Sequence, residues 1–204
     1  MIPSGSSKLQ RGLSLVELVV GMGLFGLLAM SVGLLVRNGL QYLRDGETRA
    51  EVARRGLSVL SQITREVSET DADTIRLYSP GSEPPGLVFA SPRSASNELV
   101  FVNGKLQWRR WVCFYWTESN QRLIRVAEDL TPPTTFVPDP SSAGLNCSVA
   151  SMVASTSSSR LLAKSVSDFQ VSGKKQVDLQ LEIQSGTGDR TFKLLTRTTV
   201  VPRQ

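Results

Sequence analysis

Hydrophobic and polar positions fall into three regimes along this chain. From Leu13 to Val36 apolar residues follow one another with a single charge, Glu17, and with no Lys, Arg, Asn, Gln, Asp or Pro. At about 1.5 Å per residue a helix over this run reaches about 36 Å, enough to cross a hydrocarbon core of about 30 Å. Over residues 37–70 the pattern becomes periodic. Val52, Gly56, Val59, Leu60, Ile63 and Val67 recur at spacings of three and four, and Glu51–Arg55 and Arg65–Glu69 are spaced as ion pairs on the outer face. That is an amphipathic helix laid on a domain. Gly33, Gly39, Gly46 and Gly56 each weaken a helix by about 1 kcal/mol relative to Ala, which predicts bending or local melting over 33–46.

After Thr70 the period shortens to that of strands. Residues 79–97 carry Pro80, Pro84, Pro85 and Pro92 and read as loop, with a short strand over 87–90. Strands are expected over 98–102, 105–117 and 122–127, joined by the turn Asn103-Gly104 and by 118–121 into a three-stranded antiparallel meander. Residues 128–144, with Pro132, Pro133, Pro138 and Pro140, read as a long loop, and the Ser-rich 141–160 as irregular. A strand over 161–171 bends near Ser167. Val177, Leu179, Leu181 and Ile183 alternate with polar residues as in a half-buried strand, 186–189 turns, and 192–201 is the last strand. A long helix followed by antiparallel sheet is an α+β fold, with 71–204 as the β-rich globular domain.

Composition narrows the chemistry. The 204 residues include no His, which removes His ligands and His general bases. Outside the apolar run roughly 165 residues remain, enough for one domain with its own core. The net charge of +5 is mild and predicts neither nucleic acid nor anionic lipid as a partner. Lys8 and Arg11 precede the run, which by the positive-inside tendency leaves the N-terminus cytoplasmic and the C-terminal domain outside; Arg37 and Arg44 on the far side pull the other way. Cys113 and Cys147 then read as one disulfide in an oxidising compartment, closing a loop of about 35 residues, against the alternative of two buried thiols.

The segment Leu106–Trp116 holds all three Trp, interleaved with Arg109 and Arg110. As a strand it sets Trp108, Arg110, Val112, Phe114 and Trp116 on one face and Gln107, Arg109, Trp111, Cys113 and Tyr115 on the other. Core packing with cation–π contacts accounts for these residues; stacking of DNA bases is the competing reading. Asp71 with Asp73 and Asp129 with Asp139 are acid pairs without calcium-loop spacing, and read as solvated. No phosphate loop, nucleophile elbow or metal-spaced cluster occurs, so neither an enzyme, a metal nor a cofactor is expected.

Glu17 needs a reason, because a carboxylate inside a span costs roughly 2.5–3.5 kcal/mol at the bilayer centre and less near an end. A signal peptide has a shorter apolar region followed by small residues, whereas here Gly12 precedes the run. The segment Arg11-Gly12-Leu13-Ser14-Leu15-Val16-Glu17-Leu18 resembles the class III signal of type IV pilins and type II secretion pseudopilins. The resemblance implies that a prepilin peptidase cuts between Gly12 and Leu13 and N-methylates Leu13, removing residues 1–12. It implies that 13–36 anchors the protein in the bacterial inner membrane and later forms a filament core. It also implies that Glu17, fifth after the cut, pairs with a neighbouring subunit's amine and sets its register. Leu13 stands where the family usually has Phe or Met, and Leu34 where many pilins carry Pro, which points to a minor subunit. The stretches LLAKSVSDFQV, QVDLQLEIQ and LLTRTTVVPR resemble the C-terminal half of larger minor pilins and J-type minor pseudopilins. The expected protein is a non-catalytic minor pilin with a periplasmic domain. Its partners would be prepilin peptidase, other major and minor pilins or pseudopilins, and the inner membrane. The alternatives are a minor pseudopilin of type II secretion and a single-span anchored module that binds a ligand or DNA.

Overall fold

The computed structural model describes residues 14–78, 84–139, 148–154, 158–185 and 191–203. Two compact units divide it, Met1–Glu47 and Thr48–Gln204. One helix, α1 (Leu15–Ser68), is continuous in sequence across that boundary. The expected melting over 33–46 does not occur: Gly33, Gly39 and Gly46 are all helical. Each lies inside a long helix, and extending an existing helix adds one hydrogen bond per residue ordered, which offsets a single unfavourable residue.

In the first unit every described residue from Ser14 to Leu40 is exposed. In the second, α1 buries Val52, Gly56, Val59, Leu60, Ile63, Glu66 and Val67. These are the six positions that the three–four periodicity selects, together with one carboxylate that it does not.

The chain then passes through a 3-10 turn (Ala72–Thr74), β1 (Arg76–Tyr78), β2 (Gly86–Ser91), β3 (Phe101–Val102), β4 (Lys105–Leu106), β5 (Trp108–Thr117) and β6 (Arg122–Thr134). The helix α2 (Val149–Ala154) follows, and then β7 (Ser158–Lys164), β8 (Val166–Ser172), β9 (Val177–Ser185) and β10 (Phe192–Val200). The strands make a five-stranded sheet ordered β1-β2-β5-β6-β7, a three-stranded sheet ordered β10-β9-β8 and the ribbon β3-β4, with every ladder antiparallel. The fold is α+β.

Several expected boundaries move. The expected meander forms in part: 105–106 pairs with 101–102 and β5 pairs with β6, but the middle strand is interrupted at Gln107 and β5 takes β2, not residues 98–102, as its other neighbour. Asn103-Gly104 does turn, with φ of 52° and 75° as a type I′ hairpin requires, but it closes only the short ribbon. The short strand expected over 87–90 is present as β2, one residue longer at each end, and all six of its residues are buried between β1 and β5. Gly86 opens it because a Cβ there would lie 2.6 Å from the Phe114 carbonyl oxygen. β6 runs on to Thr134 through Pro132 and Pro133, where a loop is expected. Its pairing with β7 ends at Ala127, so the proline side of this stretch faces no ladder. Part of the Ser-rich stretch forms α2 and the start of β7. The single strand expected over 161–171 is two strands, split at Ser165 (φ 58°), where the chain leaves one sheet for the other. The turn over 186–189 lies outside the described residues.

Two apolar clusters hold the second unit together. The larger joins α1 (Val52, Ile63, Val67) to the inner face of β2-β5-β6 (Phe89, Phe114, Leu123) and to Phe169, Leu179 and Leu181 of the smaller sheet. Phe89 and Phe114 stack with ring centroids 5.9 Å apart. Each such side chain removed from water contributes about 1.5–3 kcal/mol. The second cluster lies on the opposite face of the five-stranded sheet, under Val149 and Met152 of α2.

Candidate functional site

The start of α1 is built by a reciprocal cap. Ser14 Oγ accepts the Glu17 backbone N–H at 3.2 Å, and a Glu17 carboxylate oxygen accepts the Ser14 N–H at 2.9 Å. This is the Ser-x-x-Glu capping box, which satisfies two donors at a helix start and sets a negative charge at the positive end of the helix dipole. The sequence spells it out as Ser14-Leu-Val-Glu17, a signal overlooked when Glu17 is read only by its distance from Gly12. Gly12 and Leu13 lie outside the described residues.

Beyond the cap, Leu15, Val16, Met22, Phe25, Leu35 and their neighbours are each at least half exposed. Mean hydropathy reaches 2.3 in this part of α1, none of it is buried, and its length and composition suffice to cross a membrane. An apolar surface of this kind is stable only against lipid or other apolar helices.

The Trp-rich strand turns inward. Trp111 is 1% exposed, Trp108 4% and Phe114 0%. Trp116 is partly buried, and its indole N–H donates to the Val166 carbonyl at 2.8 Å. The expected sharing of faces fails at one residue. A register shift between Trp108 and Arg110 puts Trp108 in the same cluster as Trp111, Cys113 and Tyr115, while Val112, Phe114 and Trp116 face α1. Arg109 bonds Gln107 and Arg110 bonds Asp129. Neither Trp108 nor Trp111 offers a face on which a base could stack. Burial pushes the Tyr115 phenol up, with a smaller contribution from Cys113.

Cys113 is fully buried on β5. Its expected partner Cys147 lies outside the described residues, and among those described there is no disulfide. Asp71 caps the 3-10 turn, accepting the Asp73 N–H at 2.9 Å. Among the described residues no group of three or more His, Cys, Asp or Glu side chains converges as a metal site would require.

Sequence reasoning misses the charges that fasten α1 to the sheets. Glu66, on the apolar stripe and 3% exposed, accepts hydrogen bonds from Arg125 of β6 and Gln62. Glu69, expected to pair with Arg65, instead takes both oxygens to Arg93. That pairing holds the Arg93 guanidinium even more firmly protonated. Glu69 sits just past the end of α1, where the helical spacing to Arg65 no longer applies. Glu51 keeps its expected bond to Arg55 at 2.7 Å and adds Arg54 at 3.2 Å. No family model, no curated protein and no solved structure matches this chain.

Proposed function

We propose that this chain is a non-catalytic filament subunit, a minor pilin of a type IV pilus-like system, with a minor pseudopilin of type II secretion as the nearest variant. Prepilin peptidase cuts between Gly12 and Leu13 and methylates Leu13. The apolar run then holds the protein in the bacterial inner membrane with its C-terminal domain in the periplasm, until it joins other pilins or pseudopilins.

One observation carries this reading. The described apolar run holds one charge, Glu17 in the first helical turn, and the same helix continues into a stripe packed on antiparallel sheet. Apolar surface open along the whole run suits a helix that exchanges lipid for neighbouring helices. A carboxylate near its start gives the exchange a register, since a charge in an apolar bundle is stable only opposite a partner.

The capping box favours a second reading, in which Glu17 serves only its own helix and the chain is a plain single-span anchor carrying a binding domain. Glu17→Gln separates the two, because Gln also closes a capping box but carries no charge. The filament reading expects normal processing and loss of incorporation into filaments for Glu17→Gln and Glu17→Val alike. The anchor reading expects Glu17→Gln to behave as wild type, and that result overturns the registry role.

A further inference from the structure

β7 is the last strand of the five-stranded sheet. Its inner edge bonds β6, and among the described residues no strand pairs with its outer edge. Unpaired N–H and C=O groups at such an edge are a template for another strand. Beside the edge lies an open cleft of about 700 Å³, lined by Arg54, Arg55, Ser58 and Val59 of α1 and by residues 161–164 of β7. Apolar surface is available there from Leu161, which is 41% exposed. The charges lining the cleft are all positive, from Arg54, Arg55 and Lys164. Glu51 takes one contact from each arginine, and a guanidinium has five donors, so most of them remain for an incoming carboxylate.

We propose that this cleft docks an extended acidic segment of another protein, added as a sixth strand to the outer edge of β7. Main-chain hydrogen bonds to the edge supply attraction that is indifferent to sequence. The cations supply the choice: Arg and Lys along an edge repel cationic strands, including a second β7 with its Arg160 and Lys164, and admit a strand with carboxylates on alternate residues. The site lies wholly in the sheet-bearing unit, so it stands whether or not Gly12 is cut.

The test uses the full chain in a neutral detergent and a fluorescent, N-acetylated octapeptide of alternating Val and Glu, followed by anisotropy. Saturable binding is expected to weaken about fivefold to tenfold in an Arg54→Gln, Lys164→Gln double variant, as the loss of two partly exposed ion pairs implies. It should be absent for the Val–Lys peptide, and absent for the Val–Glu peptide N-methylated at alternate residues, which lacks donors along one edge. That last arm leaves the protein untouched, so it does not depend on the variant folding. Equal binding of the Lys peptide, of the methylated peptide, or by the double variant overturns the proposal. So does a chain that ignores the peptide but binds anionic vesicles through Arg54 and Lys164, which would assign the cleft to a membrane surface. A concentration-dependent dimer lost in the double variant, without peptide binding, would assign it to a second copy and equally overturn the proposal.

Discussion

Removing Arg125 is expected to loosen α1 from its sheet more than any other change of a charged residue. Arg125 Nε lies 3.1 and 3.0 Å from the two Glu66 oxygens, and an Nη adds a 3.0 Å contact. The only other hydrogen bond to this carboxylate among the described residues is from Gln62, at 3.2 Å. With Glu66 3% exposed, Arg125→Met leaves a buried charge with one neutral donor, an arrangement that costs about 3–5 kcal/mol. Met preserves much of the stem's packing, so the loss reports the charge. Replacing both partners, Glu66→Leu with Arg125→Met, removes the desolvated pair altogether and should return stability to within about 1 kcal/mol of wild type, or above it. The assay is urea unfolding of the full chain in detergent micelles, read by the fluorescence of Trp108, Trp111 and Trp116, with unchanged denaturant dependence as the check on two-state behaviour. A coupling energy of at least about 2 kcal/mol between the two sites is expected. Additive single effects, or a loss below about 1 kcal/mol for Arg125→Met, would refute the claim that this pair is desolvated and mutually dependent.

Two further outcomes test the packing and the charges. A Cβ at Gly56 would meet Ile183, Leu194 and Thr196 atoms at 3.5–3.7 Å, an ordinary separation. Gly56→Ala should therefore gain up to about 1 kcal/mol from helix propensity, whereas Gly56→Leu should lose about 1–3 kcal/mol by overpacking, both measured by the same unfolding. Hydrogen bonds from Lys193 and then Ser167 hold the Glu182 carboxyl below its ordinary value of 4.5. A depressed folded-state pKa stabilises above the unfolded value, and that contribution is lost as pH falls through the folded value. Stability of the wild type should thus decline below about pH 4.5, with a shallower decline in Glu182→Gln, as acid titration followed by circular dichroism would show.

What the sequence made legible follows the strength of its periodicities. The buried stripe of α1 and the alternation of β9 were readable because each repeats over many residues, so that no single exception misplaces it. The misreadings come from places where tertiary context overrode a local signal. Pro132 and Pro133 would break an inner strand, but they sit where β6 has lost one neighbour. Trp108 changed face because an irregularity in the ladder, invisible in a strict period of two, separates it from the rest of β5. Glu66 occupies an apolar-stripe position because Arg125, 59 residues away, is there to meet it, and no local pattern encodes such a partner. At the candidate site the position of Glu17 was legible twice over. Its spacing from Gly12 carries the family resemblance, and its spacing from Ser14 carries the cap. Only the second of these is a matter of contacts within one chain.

The measurement that bears most directly on the filament reading is the intact mass and N-terminal sequence of the mature protein, isolated from membranes in the presence of a prepilin peptidase. The reading predicts a chain beginning at Leu13, carrying one methyl group on its amine, in wild type and in Glu17→Val alike. An intact leader, a cut after the apolar run, or an unmethylated cut anywhere other than after Gly12 would contradict it.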